Sequence, residues 1–286
     1  MTATTVTYPA GATQSVGTVV ETMDAAGGRT AVVLSETAFH PVDTAWPDQP
    51  ADRGELVFAD GRRVTVVDAV VGARSDGEVF LGPAVPVRTG TDGWEFFVVH
   101  LIEEEAPAVG DRVTVTVDAA HRAALSRGHT ACHLASLALD EALADAWRKD
   151  VMTDARGRPA FDALAIQESR ILRDGSRDVY RIGKSLRRKG FAPEALDELE
   201  AVTARANSIL TAWLSRGGAV RVDVDGPALE DRRAWVCALA DGEVRIPCGG
   251  THVDSLAEFA EITVALSVES SPGAVELVMT TTATPV

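Results

Sequence analysis

The 286-residue chain reads as an α+β protein: a small, barrel-like β-rich domain over residues 1–118, then an α+β domain over 119–286. Three observations predict this. Short Val-rich segments, parted by Gly, Pro and Asp, fill the first 118 residues. A proline-free run rich in Ala and Leu follows Asp118. His and Cys then recur at a spacing of four, once inside that run and once beside paired glycines.

The strands expected in the first domain are 30–36, 54–59, 62–72, 94–102 and 111–118. Asp60-Gly61 and Asp92-Gly93 suit tight hairpin turns. Strands at this spacing predict a small barrel or sandwich. Residues 119–149 predict one helix, with Gly128 as a possible break. Residues 160–190 read as helix interrupted by Gly175, Gly183 and Gly190. Pro193 opens a long helix that Gly217-Gly218 ends. Strands return at 219–224 and 243–247, and a terminal hairpin turns at Ser271-Pro272-Gly273. The second half is thus helices followed by a sheet for them to cover.

A content of 46% hydrophobic and 24% charged residues is that of a globular protein, and no apolar run approaches the roughly 18 residues of a membrane span. The N-terminus lacks the basic start and apolar core of a secretory signal. Cys132, Cys237 and Cys248, an odd number, make no disulfide framework, so a reducing compartment, the cytoplasm, is expected.

His129 and His133, in GHTACH, stand one turn apart on one face of the predicted helix. Cys248 and His252, in PCGGTH, follow a predicted strand, and Gly249 and Gly250 let the backbone turn both side chains inward. One thiol and three imidazoles suit Zn²⁺ better than Mg²⁺ or Ca²⁺. The alternative is a free buried cysteine beside a loop histidine. Cys132 and Cys237 read as core.

The net charge of −15 speaks against broad nucleic-acid binding. Yet Arg170, Arg173, Arg177, Arg181, Lys184 and Arg188 step by 3, 4, 4, 3 and 4, which on a helix makes one basic stripe suited to an RNA backbone. The alternative is a solvated, salt-bridged face, with Glu168, Asp174 and Asp178 nearby.

GHTACHLASLAL beside PCGGTH resembles the paired HxxxH and CGGTH motifs of alanyl-tRNA synthetase editing domains and their free-standing AlaX relatives. Upstream, TVDAAHRAALSRGHTACH is similar to the family's V-D-x-x-x-R segment, and Phe39-His40-Pro41 with Gln49-Pro50-x-Asp52-x-Gly54 to its FHP…GGQPxDxG loop. The resemblance implies that residues 119–286 form the editing domain, that His129, His133, Cys248 and His252 hold Zn²⁺, and that the partner is the acceptor end of an aminoacyl-tRNA. It also implies that Gln49 holds the substrate ester or water through its amide. Thr251 could orient His252 or contact the ester, and His40 could act as acid or base or contact the substrate. The family's Gly-Gly is Pro47-Asp48 here, and Trp46 is inserted, so Trp46 and Pro47 are expected to shape the amino-acid pocket.

The expected activity is zinc-dependent hydrolysis, in trans, of mischarged aminoacyl-tRNA. The substrate is Ser- or Gly-tRNA(Ala), or a threonine-like species as in the family's fluorothreonyl-tRNA deacylase branch. Two alternatives stand beside it: a zinc hydrolase of a small ester or amide, and a non-catalytic binding module stabilised by zinc. Four protein ligands would fill a tetrahedral zinc. Either the metal becomes five-coordinate, or Cys248 or His252 binds loosely, or the metal only positions the substrate.

Overall fold

A computed structural model describes residues 4–271 and 274–286. The chain divides into two compact units, Met1–Ala123 with Val222–Ala234 and Pro247–Thr251, and Ala124–Arg221 with Trp235–Ile246 and His252–Val286.

In the first unit, β1 (Thr5–Val6) and β4 (Glu36–Thr37) form a short parallel pair. The main sheet holds β2 (Gln14–Ala25), β3 (Arg29–Leu34), β5 (Gly54–Phe58), β6 (Arg63–Val66), β7 (Asp68–Ser75), β8 (Glu78–Leu81), β9 (Glu95–Ile102) and β10 (Arg112–Val117). Their order is β6-β5-β10-β2-β3-β9-β7-β8. The expected barrel does not close, because no ladder joins the edge strands β6 and β8 among the described residues. The predicted strand 62–72 breaks at Val67, and one residue carries the chain from one edge of the ladder to the far side. Such a step requires a strongly coiled sheet, while both edge strands are only four residues long. Alternation in β10 buries Val113, Val115 and Val117 with Leu34, Leu56 and Phe39. Asp60-Gly61 turns the β5–β6 hairpin as expected. Asp92-Gly93 instead leads into β9, since β8 and β9 both pair with β7.

Asp118 caps α1 (Ala119–Ala142), its Oδ1 accepting from the His121 N–H at 3.0 Å. The helix ends seven residues before the expected 149, and Trp147 makes a bridge to Phe191 instead. Gly128 does not break it. A Cβ there would sit 2.2 Å from the Leu172 carbonyl oxygen, so glycine permits the close approach of a strand.

That strand is a second correction. The expected interrupted helix at 160–190 is α2 (Phe161–Ala165), a hairpin of β11 (Ile166–Leu172) and β12 (Gly175–Ile182), and α3 (Lys184–Arg188). Asp174, at φ 56°, makes the turn, and β12 pairs with β17 over eight positions. Tertiary pairing overrides the helical reading.

After a 3₁₀ turn over Pro193–Glu198, α4 (Leu199–Arg216) runs to Gly217, at φ 67°. Next come β13 (Val220–Val224), β14 (Arg233–Leu239) and β15 (Gly242–Pro247), a three-stranded sheet whose central strand the sequence reading missed. The terminal hairpin is β16 (Phe259–Ser271) and β17 (Ala274–Pro285); Pro272 and Gly273 of its expected turn lie outside the described residues. With β11 and β12 it builds a sheet of order β11-β12-β17-β16. The Asn207 amide on α4 bonds both the Val264 N–H (2.7 Å) and its carbonyl (3.0 Å), occupying part of the β16 edge. No described helix is long and apolar enough to cross a membrane.

Candidate metal centre

On α1, His129 and His133 bring their rings to 4.8 Å between centroids. The His252 ring lies 4.4 Å from His129 and 5.2 Å from His133. Cys248 belongs to the same five-residue segment as His252, and one donor atom from each of the four residues lies within 4.8 Å of the others. Trp235 on β14 tilts against His133 at 5.0 Å and is fully buried.

This donor set fits a metal ion. The His133 Nε2 is buried with no hydrogen-bond partner, as suits an atom that ligates a cation. Burial pushes the His133 pKa down to about 4, so the ring is neutral and able to donate a lone pair. Burial above all pushes the Cys248 thiol up to about 12, a proton that a cation would displace. The soft and borderline donors match zinc's preferences without identifying the ion.

Sequence reasoning missed Thr130, although it stands between the two helical histidines. Its Oγ1 meets the His252 Nδ1 at 3.1 Å and accepts from the Val253 N–H at 3.3 Å. Engaging Nδ1 leaves Nε2 as the ring's donor atom toward the cluster. Trp235 was also missed, because β14 was not recognised.

Gln49 and Thr251 are both buried and clasp each other. The Gln49 Nε2 donates to the Thr251 Oγ1 at 3.0 Å, and its Oε1 accepts from the Thr251 N–H at 3.1 Å. The amide thus grips the turn next to His252.

His40 is buried edge-on to Tyr8 at 5.1 Å, and its backbone N–H donates to the Asp52 Oδ2 at 2.5 Å. Burial pushes its pKa down to about 4, against the pull of Asp52, so the ring is neutral at pH 7. Asp52 also takes the buried Arg122 guanidinium, Nε to Oδ1 at 2.7 Å and Nη2 to Oδ2. Arg122 further donates to the Ala38 carbonyl at 2.7 Å, tying the start of α1 to the loop. Trp46 and Pro47 lie exposed on that loop, where the Asp43 Oδ1 accepts from the Ala45 and Trp46 N–H groups.

The expected helical stripe of basic residues does not exist. Arg170 and Arg177 face each other across β11 and β12, Arg173 follows β11 into the turn, Arg181 is on β12, and Lys184 and Arg188 are on α3. Period two governs here because the segment pairs as a hairpin.

A helix-borne His pair beside a Cys–His turn, with a Gln–Thr clasp next to it, is a site able to hold a metal ion, in motifs similar to those of AlaX-type editing proteins. The particular relatives agree. The chain is 25% identical over 233 residues to the alanyl-tRNA editing protein AlaX-M of Pyrococcus horikoshii, covering 81% of this chain and 78% of that one. It is 27% identical over 249 residues to the alanine–tRNA ligase of Nostoc punctiforme, covering 82% of this chain and 22% of the ligase. A 103-residue stretch is 36% identical to the alanine–tRNA ligase of Methanothrix thermoacetophila, covering 36% of this chain and 8% of that ligase. No family model matches the chain. The resemblance drawn from the motifs therefore holds across about four-fifths of the sequence.

Proposed function

We propose that the chain is a zinc-dependent aminoacyl-tRNA deacylase that clears mischarged tRNA in trans. The observation that carries this is the convergence of His129, His133, Cys248 and His252, donors drawn from two distant motifs, in a chain similar to AlaX-M over most of both lengths. An aminoacyl ester needs a water nucleophile near neutral pH and stabilisation of developing negative charge on its carbonyl oxygen. His129, His133, Cys248 and His252 would hold a zinc ion, which would supply Lewis-acid polarisation of the carbonyl and a means of acidifying water. Thr130 fixes the His252 ring, and the Gln49 amide fixes Thr251, so the donors are held in place before substrate arrives. Trp46 and Pro47 project from a loop that Asp43 orders, and they select the amino acid.

The substrate class is Ser- or Gly-tRNA(Ala), or a threonine-like aminoacyl-tRNA such as fluorothreonyl-tRNA, which places the work in the cytoplasm. A deacylation screen over a panel of mischarged tRNAs, with chelated and zinc-restored protein, tests it. Turnover of one mischarged tRNA that zinc restores is the expected result. The net charge of −15 favours a second reading, a zinc hydrolase of small esters or amides that has left tRNA behind. Zinc-dependent cleavage of small esters with no mischarged tRNA cleaved would establish that reading. Stoichiometric zinc with no turnover of either would leave a binding module.

A further inference from the structure

We propose that the solvent face of the β11–β12 hairpin, with the groove at its end, is a docking track for the phosphodiester backbone of RNA. For the RNA's being tRNA it rests on the deacylase reading.

Residues 170–189 hold eight basic and two acidic residues, a local formal charge of +6 in a chain of −15. Of the two acids, Asp178 is buried, accepting from Ser169 and Ser176, and Asp174 pairs with Arg127. The strand pairing sorts the bases. Arg170 lies opposite Arg177, and Arg181, four residues along β12, shares their side. Ser169, Asp178 and Tyr180 alternate to the opposite, covered side. On β17 the exposed Thr280 and Thr282 lie opposite Arg177 and Gly175, adding hydroxyl donors to the same face.

The row does not end on a flat surface. Arg181 also lines a groove of about 480 Å³ with Gln167, Lys184 and Ser185, and Leu164 and Leu186 line it too. Two cations and two neutral polar groups around an apolar patch suit one nucleotide, phosphate on the rim and base or ribose against the leucines. The face is not purely basic. Glu168 pairs with Arg170 at 2.9 Å, and Glu276 lies opposite Arg181. Surface pairs of this kind contribute little, so a phosphate can replace the carboxylate as the guanidinium's partner. The excess acid of the chain lies outside residues 170–189, so this face is one where the charge complements RNA.

The test is filter binding of deacylated tRNA, across a salt series, to the full-length zinc-loaded protein and to Arg177→Gln/Arg181→Gln/Lys184→Gln. The variant is expected to bind more weakly. The slope of log K against log salt should fall by roughly 0.7–0.9 for each phosphate that the variant no longer neutralises. Its hydrolysis of a short aminoacyl-adenosine ester should match the parent's. Unchanged affinity and slope would overturn the proposal. So would a poly-glutamate peptide that competes as well as tRNA, since the partner would then be an acidic protein. A measurement on the unaltered protein removes any dependence on the variant's folding: 4-thiouridine tRNA should cross-link to peptides within residues 164–188, and cross-links confined to other segments also refute the track. Parent protein that binds tRNA in this salt-sensitive way yet cleaves no aminoacyl ester refutes the deacylase reading and leaves the docking track standing.

Discussion

Gln49 and Thr251, 202 positions apart in the sequence, close a two-point clasp in which each end of one amide is used by the other residue. The clasp holds the turn that carries His252, so its effect reaches the metal ligands through the backbone. Gln49→Met keeps the length and removes both bonds. Leaving the buried Thr251 N–H unpaired costs about 1–3 kcal/mol. Turnover of the aminoacyl ester should fall while zinc remains stoichiometric. Elemental analysis together with single-turnover kinetics reads both quantities, and full turnover in the variant would remove Gln49 from the machinery.

Thr130 tests the support of the metal ligands separately. Thr130→Val is isosteric and removes the hydrogen bond to the His252 Nδ1, so zinc affinity should drop by roughly 10- to 100-fold. Thr130→Ser should restore it, because the hydroxyl rather than the methyl carries the bond. Competition against a chromogenic chelator measures the change. Equal affinity in the valine variant would show that the His252 ring is oriented by other neighbours.

The Asp52–Arg122 pair predicts stability rather than chemistry. Both side chains are almost fully excluded from solvent, and Arg122 also serves the Ala38 carbonyl. Removing one partner with Arg122→Met leaves a buried charge uncompensated, at a cost of about 3–5 kcal/mol. Urea unfolding should show that loss in the midpoint. A change under about 1 kcal/mol, the scale of an exposed pair, would mean that water reaches Asp52 once the guanidinium is gone.

Asp140 sets a pH dependence away from the metal centre. It is buried on α1, its Oδ1 accepts from the Asp162 N–H at 2.7 Å, and burial with the nearby Asp162 charge raises its pKa to about 9. The folded state therefore holds a proton that the unfolded chain releases near the usual carboxylate value of about 4. Its contribution to stability is full below about pH 4 and is lost as pH rises toward 9. Asp140→Asn keeps the acceptor and should flatten the decline in stability between about pH 5 and 8, as measured by urea midpoints across that range. An unchanged slope would assign the decline to other groups.

The four clustered donor residues were legible because they are rare residue types at short spacing: HxxxH needs only one helical turn, and CGGTH only one glycine turn. The same holds for α1, α4 and the Val-rich strands, where local period and propensity agree with the fold. The basic segment at 170–189 was not legible, since its steps of three and four match a helical period, while only four-residue steps, as from Arg177 to Arg181, also suit one face of a strand. Only pairing of β12 with β17, about a hundred residues downstream, decides between them. β14 escaped for a similar reason, as RAWVCAL is a short apolar run that periodicity alone assigns to no element.

By itself, then, the sequence determined which atoms can bind a metal and that two local motifs supply them. It also carried the likeness to AlaX-type editing proteins, which the 25% identity to AlaX-M bears out. Only the tertiary structure decided that the β-rich sheet stays open, and that Thr130 and Gln49 brace the ligand segment. It also decided that Arg170, Arg177 and Arg181 share a sheet face. The division follows the range of the forces: helix, turn and ligand spacing are set within a few residues, whereas strand pairing and buried side-chain packing join residues whose separation along the chain carries no periodic signal.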